Sequence, residues 1–200
     1  LRATAIQMAK KEVSASVSFD NLIIQAKASG DELAKSANLL AMRLREWFEL
    51  YCPEFSSAVA DNGRFVAAIL GSDKEKLLAQ LNMKPEESMG APLSDYDVQQ
   101  IVALAAAVSM LYETISVMDN YIEALMHKHC QNLKVVAGSQ IGAELLRLSG
   151  SLEHLAMMPA STIQLLGAER ALFRHLKDRR QRPPKYGVLH EHDLVSAAKK

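Results

Sequence analysis

The hydrophobic positions of the chain fall into helical periods. Leu33, Ala37, Leu40, Leu44, Trp47 and Tyr51 alternate steps of four and three, the a/d seam of a coiled coil. Asp31-Glu32 opens this predicted helix and Pro53 ends it, because proline lacks an N–H and disfavours helix at the preceding residue. Arg43, Arg45, Glu46 and Glu49 are assigned to its outer faces. A second seam runs through Val98, Ile101, Ala105, Val108, Tyr112, Ile115, Ile122 and Met126 and starts from a Ser94-Asp95 cap. Asp119 interrupts it, either as a register device or as the place where the helices splay. Two such helices predict a long antiparallel hairpin, each arm spanning roughly 30 to 45 Å at the α-helical rise.

The rest of the pattern is shorter-ranged. Leu1 to Lys27 reads as helix with a break, Ile6, Met8 and Ala9 on a first helix and Ser18-Phe19-Asp20 opening a second. Residues 53–93 are rich in turn-formers such as Asp61-Asn62-Gly63 and Gly90-Ala91-Pro92. Short helices are expected at Arg64 to Leu70 and Lys74 to Leu81. Phe55, Val59, Phe65 and Ile69 in this insert either need a partner surface, which would favour self-association, or fold on one another. The pattern leaves both open. It divides the chain into residual N-terminal helices (1–30), a hairpin with a helical tip insert near 53–93 (31–130) and a small helical domain (131–200).

In that last part, Gly138, Gly142 and Gly150 with Ala137 and Ala143 are small enough for helices to approach closely. The Gly138–Gly142 spacing matches a membrane-helix dimer motif, but Gln140, Glu144 and Arg147 favour packing in a soluble domain. No Lys-Ser/Thr follows the glycines, which excludes a phosphate-cradling NTPase loop. Pro159 stops one helix, and Ser161 is expected to cap the next. With Leu165 to Lys177 on one helix, Arg170, Arg174 and Lys177 share a narrow sector. Leu165, Ala168, Leu172 and Leu176 lie opposite. Phe173 sits beside the cations, placed either to stack on an unpaired base or to cap the core edge.

Composition agrees with an all-α fold: 49% of the 200 residues are hydrophobic and only 6% aromatic, with no alternating β run. Net charge is zero, yet the basicity is local. From Ser161 onward there are nine basic and four acidic residues, against 14 and 19 before it. Seven basic residues lie between Arg170 and Lys185, with Asp178 as the one acid. That footprint suits a polyanion such as RNA, or an acidic protein surface. Cys52 and Cys130 form no metal-like pair, which implies free thiols in a reducing compartment. No signal peptide is expected, and the apolar windows read as too interrupted for a membrane span. The start at Leu1 implies a fragment or a processed chain. Two histidine clusters, His127/His129/Cys130 and His190/His192/Asp193, lack complementary ligands. Ser, His and Asp occur in no nucleophile setting. The expectation is therefore no enzyme, cofactor or metal, with His190 or His192 near enough to the basic turn to touch RNA.

The GAERALFR run, its approach MPASTIQLLG and the following PPKYGVLHEHDLV resemble the Nop-domain family. LREWFELYCPEF and ESMGAPLSDYDVQQI are similar to that family's coiled-coil helices. The family includes the archaeal scaffold of box C/D small ribonucleoproteins, its nucleolar relatives and a splicing factor. The resemblance implies a coiled-coil hairpin followed by a compact helical Nop domain. It implies a non-catalytic homodimeric scaffold that binds a kink-turn guide RNA together with its kink-turn-binding protein. Such a scaffold supports 2′-O-methylation of RNA by fibrillarin. Carried onto this chain, Glu169, Arg170, Phe173 and Arg174 face RNA, extended by charge and proximity to Lys177, Arg179, Arg180, Lys185 and His190. Gln140, Ser161, Thr162 and Gln164 fall on the protein side of the composite surface. Leu40, Leu44, Trp47, Val108, Tyr112 and Ile115 are expected to carry the coiled coil and dimer. Only the last helices of a fibrillarin-binding domain would fit in Leu1 to Gly30, which puts fibrillarin binding in doubt. Family members also continue past Lys200 into further basic helices. Location would be cytoplasmic in an archaeal setting and nucleolar in a eukaryotic one. The alternatives are a protein-binding coiled-coil adaptor and a splicing-type Nop factor.

Overall fold

Helix-favouring composition produces helices from end to end in the computed structural model, which describes residues 2–197 and has no strand among them. They are α1 (Arg2–Ala15), α2 (Phe19–Glu49), α3 (Pro53–Ala58), α4 (Asn62–Gly71), α5 (Lys74–Gln80) and α6 (Asp95–His129). Then come α7 (Gln131–Ala137), α8 (Ser139–Ser149), α9 (Leu152–Met157), α10 (Ala160–Leu165), α11 (Glu169–Lys177) and α12 (Asp193–Ser196). Short 3-10 turns stand at Pro85–Glu87 and Val188–Glu191. The chain forms two compact units, residues 30–117 and residues 1–29 with 118–200.

In residues 30–117 the α2 and α6 segments share a core with the insert. The α2 seam differs from the predicted one. Ala37, Ala41, Leu44 and Phe48 point inward, Leu40 is half-buried and Trp47 is 38% exposed. Two heptad registers overlap here, and the one carrying Phe48 wins because its ring packs against Phe55 and Phe65, centroids 6.3 and 5.4 Å away. The predicted break before Asp31 is absent too. Gly30 costs a helix about 1 kcal/mol relative to alanine, and the apolar stripe on either side outweighs it. The α6 seam holds as read, with Ile101, Ala105 and Val108 buried and Tyr112 and Ile115 half-buried.

The insert folds on itself. Phe55, Phe65 and Ile69 are buried and Val59 is half-buried, which removes the need for an external partner at these residues. Arg45, expected on an outer face, instead reaches into the insert. It donates to Asn62 Oδ1 (2.7 Å), Ser56 O (2.9 Å) and Ala60 O (3.0 Å), and lies 4.3 Å above the Phe65 ring. The Ser88–Ala91 strand of chain is tied down in turn. The Glu54 carboxylate accepts from Met89 N (2.6 Å) and Ser88 Oγ (3.1 Å), and Ala91 N donates to Leu50 O (2.8 Å). Ser94 caps α6 as expected, accepting from Asp97 N at 3.2 Å.

The expectation about membranes also changes. Helix α6 is long and apolar enough to cross a membrane by length and composition, with a mean hydropathy of 1.8 over 18 residues. The sequence reading missed this because α6 carries a second apolar stripe beside its seam: Ala103, Ala107, Met110 and Val117 are exposed. Composition of one helix is weak evidence for a span.

In the other unit Ile23, Ala26, Ile122, Met126, Cys130, Leu145, Leu146 and Leu155 form one cluster. Gly142 permits its density, since a Cβ there would lie 2.6 Å from Met126 Cε. Gly138 and Gly150, read as packing residues, face open space and serve instead as positive-φ helix ends. Asp119 is exposed and accepts from Gln140 Nε2 at 2.9 Å. His129 stacks on Phe19, 4.6 Å between centroids.

Candidate nucleic-acid interface

The basic stretch is shaped by a break in what the sequence presented as one helix. Leu165 ends α10, Gly167 takes φ +86° and α11 restarts at Glu169. The Glu169 carboxylate accepts from Gly167 N at 2.7 Å and so secures this turn. Ser161 is not the cap: Pro159 takes that position, and Ser161 and Thr162 lie exposed in the first turn of α10. The break removes Leu165 from the helix that carries the cations. Leu176, expected on the apolar back, is 62% exposed, while Leu172 and Ala168 are half-buried.

Arg170, Phe173, Arg174 and Lys177 are all exposed along α11. Among the described residues, none of Arg170, Arg174, Lys177, Arg179, Arg180, Arg182 and Lys185 forms an ion pair or a side-chain hydrogen bond. Their charge is therefore available to a ligand. Lys199 and Lys200, which add to the C-terminal excess, lie outside the described residues. Phe173 is 68% exposed. A ring in that position caps no core, so it is open to stacking.

The loop after α11 is held against α10. His175 Nδ1 meets Gln181 O, and Asp178 Oδ1 accepts from Arg180 N at 3.1 Å. Gln164 Nε2 then donates to Lys185 O (2.7 Å), Gly187 N to Gln164 O (2.8 Å) and Val188 N to Leu166 O (2.8 Å). Gly187 allows this closure, because a Cβ there would stand 1.7 Å from Leu166 O. His190 stacks on Tyr186, 6.0 Å between centroids and 10° between planes.

The structure thus gathers Arg170, Phe173, Arg174 and Lys177 on one helix and joins Arg179, Arg180 and Lys185 to it by the closed loop. Ser161, Thr162 and Glu169 line a hollow of about 270 Å³ with Leu165, Leu166 and Leu172. Gln164 is occupied with Lys185, and Gln140 with Asp119 on α6. His192 caps α12, its Nδ1 accepting from Leu194 N at 3.2 Å. Tyr186 and Gly187 escaped the sequence reading. The signal was present as an aromatic-glycine pair closing a Pro-rich basic turn.

Comparison with known proteins identifies the family rather than individual residues. The family described as "Nop: snoRNA binding domain, fibrillarin" matches residues 30–200. A NOP5 family protein of Methanocaldococcus jannaschii is 40% identical over 193 residues, covering 90% of this chain and 46% of that protein. Nucleolar protein 58 of Yarrowia lipolytica is 38% identical, covering 90% of this chain and 37% of its own length. Nucleolar protein 56 of Caenorhabditis elegans is 37% identical, covering 90% and 41%. The chain spans less than half the length of these relatives, and over residues 30–200 it belongs to the Nop family.

Proposed function

We propose that this chain is an RNA-binding scaffold segment of a box C/D-type ribonucleoprotein, without catalytic chemistry of its own. The observation that carries this reading is the set of seven unpaired cations around an exposed Phe173 on α11 and its closed loop. Lysine and arginine side chains neutralise phosphates, and an exposed ring stacks on an unpaired base. Similarity to nucleolar proteins 56 and 58 and to a domain described as snoRNA-binding supports it. The finer reading is that the ligand is a kink-turn RNA already holding its small binding protein. The part of the hollow lined by Ser161 and Thr162 beside the basic helix is the protein side of that composite surface. In the full assembly this scaffold supports guide-directed 2′-O-methylation by fibrillarin.

Homodimerisation belongs to the same reading, and of the residues first expected Trp47 stays available at 38% exposure. Leu44 and Val108 are fully buried, Leu40 and Tyr112 pack partly buried against the same core, and Ile115 is half-buried. Leu44 and Val108 therefore have no surface left for a second copy, whereas Leu40, Tyr112 and Ile115 keep part of theirs. Leu39, Met42, Met110 and Val117 are each more than half exposed and supply an apolar surface.

A gel-shift titration on kink-turn RNA, with and without its binding protein, tests the proposal. Binding that requires both is expected. Arg174→Ala should weaken it by about 1 to 3 kcal/mol and flatten its salt dependence. Unchanged affinity would remove α11 from the interface. No binding at low salt would favour a protein adaptor instead.

A further inference from the structure

Residues 30–117 contain a cleft that the basic-face reading does not use. It measures about 540 Å³, and Phe48, Ile69, Leu77, Ile101 and Val102 form its apolar wall. A second hollow of about 500 Å³ continues it over Pro85 and Pro92, the two sharing Tyr51, Asp73, Lys74 and Leu93. The rim is acidic: Asp73 and Asp95 border the first hollow, and Glu75 borders the second. The one cation on the lining is engaged, since Lys74 Nζ donates to Gly90 O at 3.2 Å and stands 4.8 Å over the Tyr51 ring. Asp73 holds Lys76 in an ion pair at 3.3 Å, with both side chains mostly exposed and so weakly coupled. Among the described residues Asp95 and Glu75 have no ion pair or hydrogen bond, and the Tyr51 hydroxyl has no partner. Burial pushes the Tyr51 phenol above its ordinary range, and Cys52, Asp73, Asp95 and Glu75 push it the same way. The three carboxylates therefore lie near enough to act on that hydroxyl.

We propose that this cleft seats a partner protein's apolar segment bearing an arginine or lysine, its aliphatic side chains on the wall and its cationic group at the Asp73–Asp95 rim. The charge decides the sign of the occupant. Asp95 and Glu75, both unpaired, welcome a cation and repel an acidic segment or a phosphate. The two hollows share Tyr51, Asp73, Lys74 and Leu93 and mix polar with apolar lining, which suits several side chains in sequence better than a lone ion. This surface is distinct from α11 and opposite to it in charge.

The test is a methyl-NMR titration of the full chain with three acetylated, amidated six-residue peptides: Ala-Leu-Arg-Leu-Leu-Ala and its versions with Gln or Glu in place of Arg. The Arg peptide is expected to shift the methyls of Ile69, Leu77, Ile101 and Val102, and to bind about tenfold more tightly than the Gln peptide. The Glu peptide should bind more weakly still. Asp95→Asn should remove most of the Arg preference, and an unchanged melting temperature would confirm that the variant is folded. Equal binding of the three peptides would reduce the cleft to a non-selective apolar groove and overturn the proposal. So would shifts confined to other methyls, or no shift at millimolar peptide. Because the readout uses no RNA, its failure leaves the reading of the basic face untouched.

Discussion

Phe173 shows how one residue's exposure changes its chemistry. Its ring is 68% exposed between Arg170, Arg174 and Lys177 and supports nothing behind it. Phe173→Ala should therefore cost about 1 to 3 kcal/mol of affinity for the RNA–protein composite and leave thermal unfolding unchanged. A lowered melting temperature with intact binding would reverse the assignment. Gly187 is the opposite case, a residue with no side chain whose absence of one matters. Gly187→Ala would force a Cβ to within 1.7 Å of Leu166 O, so the loop must lift and lose its hydrogen bonds to Gln164 and Leu166. Losing two such bonds costs about 1 to 3 kcal/mol. Thermal unfolding should show that loss, and RNA affinity should fall with it although no charge has changed. Neither Gly187 nor Tyr186 stood out in the sequence, because a close backbone approach across twenty residues leaves no periodic trace.

At the scale of elements, the long helices were legible wherever a single apolar stripe governed them. Helix α6 kept its predicted seam from Ile101 to Ile115. Helix α2 offered two registers, and the choice fell to ring packing in the insert, a long-range effect that periodicity cannot weigh. The split between α10 and α11 was also hidden. LLGAER reads as continuous helix until Gly187 and Val188 are seen bonded to Gln164 and Leu166. The strap Ser88–Ala91 was equally invisible, and its behaviour with pH follows from its anchor. Burial alone would raise the Glu54 carboxyl, but the hydrogen bonds from Met89 N and Ser88 Oγ outweigh it and leave the group below its ordinary range. A depressed folded-state value means that the stabilisation is complete above the ordinary carboxylate range and lost as pH falls through the lowered value. Amide exchange at Met89 should be slow at neutral pH and lose protection as the pH falls below the ordinary carboxylate range. In Glu54→Gln that pH dependence should disappear. Protection that stays constant into acid would show that Glu54 does not hold the strap.

For the whole molecule, the all-α class and the position of the basic face were readable, since both rest on composition and local spacing. Which side chains remain free for a second copy was not, because the same heptad pattern describes an internal seam and an intermolecular one. Burial separates them, leaving Leu39, Met42, Met110 and Val117 outside. Under the proposed pairing through this surface, Met110→Glu should give a monomer in light scattering where the parent chain is a dimer, while the chain stays folded. Leu44→Ala should instead cost about 2 to 5 kcal/mol of stability. Dimers that survive Met110→Glu would move the interface elsewhere.

The two cysteines have a practical side. Cys52 and Cys130 are buried, and burial is the main influence raising both thiols above their ordinary range. Thiolate is the reactive form, so neither should compete with a cysteine placed deliberately on the surface. The native sequence is in this sense already a blank for maleimide chemistry. One dye at position 173 and another at position 89 could then be introduced without first deleting a native thiol.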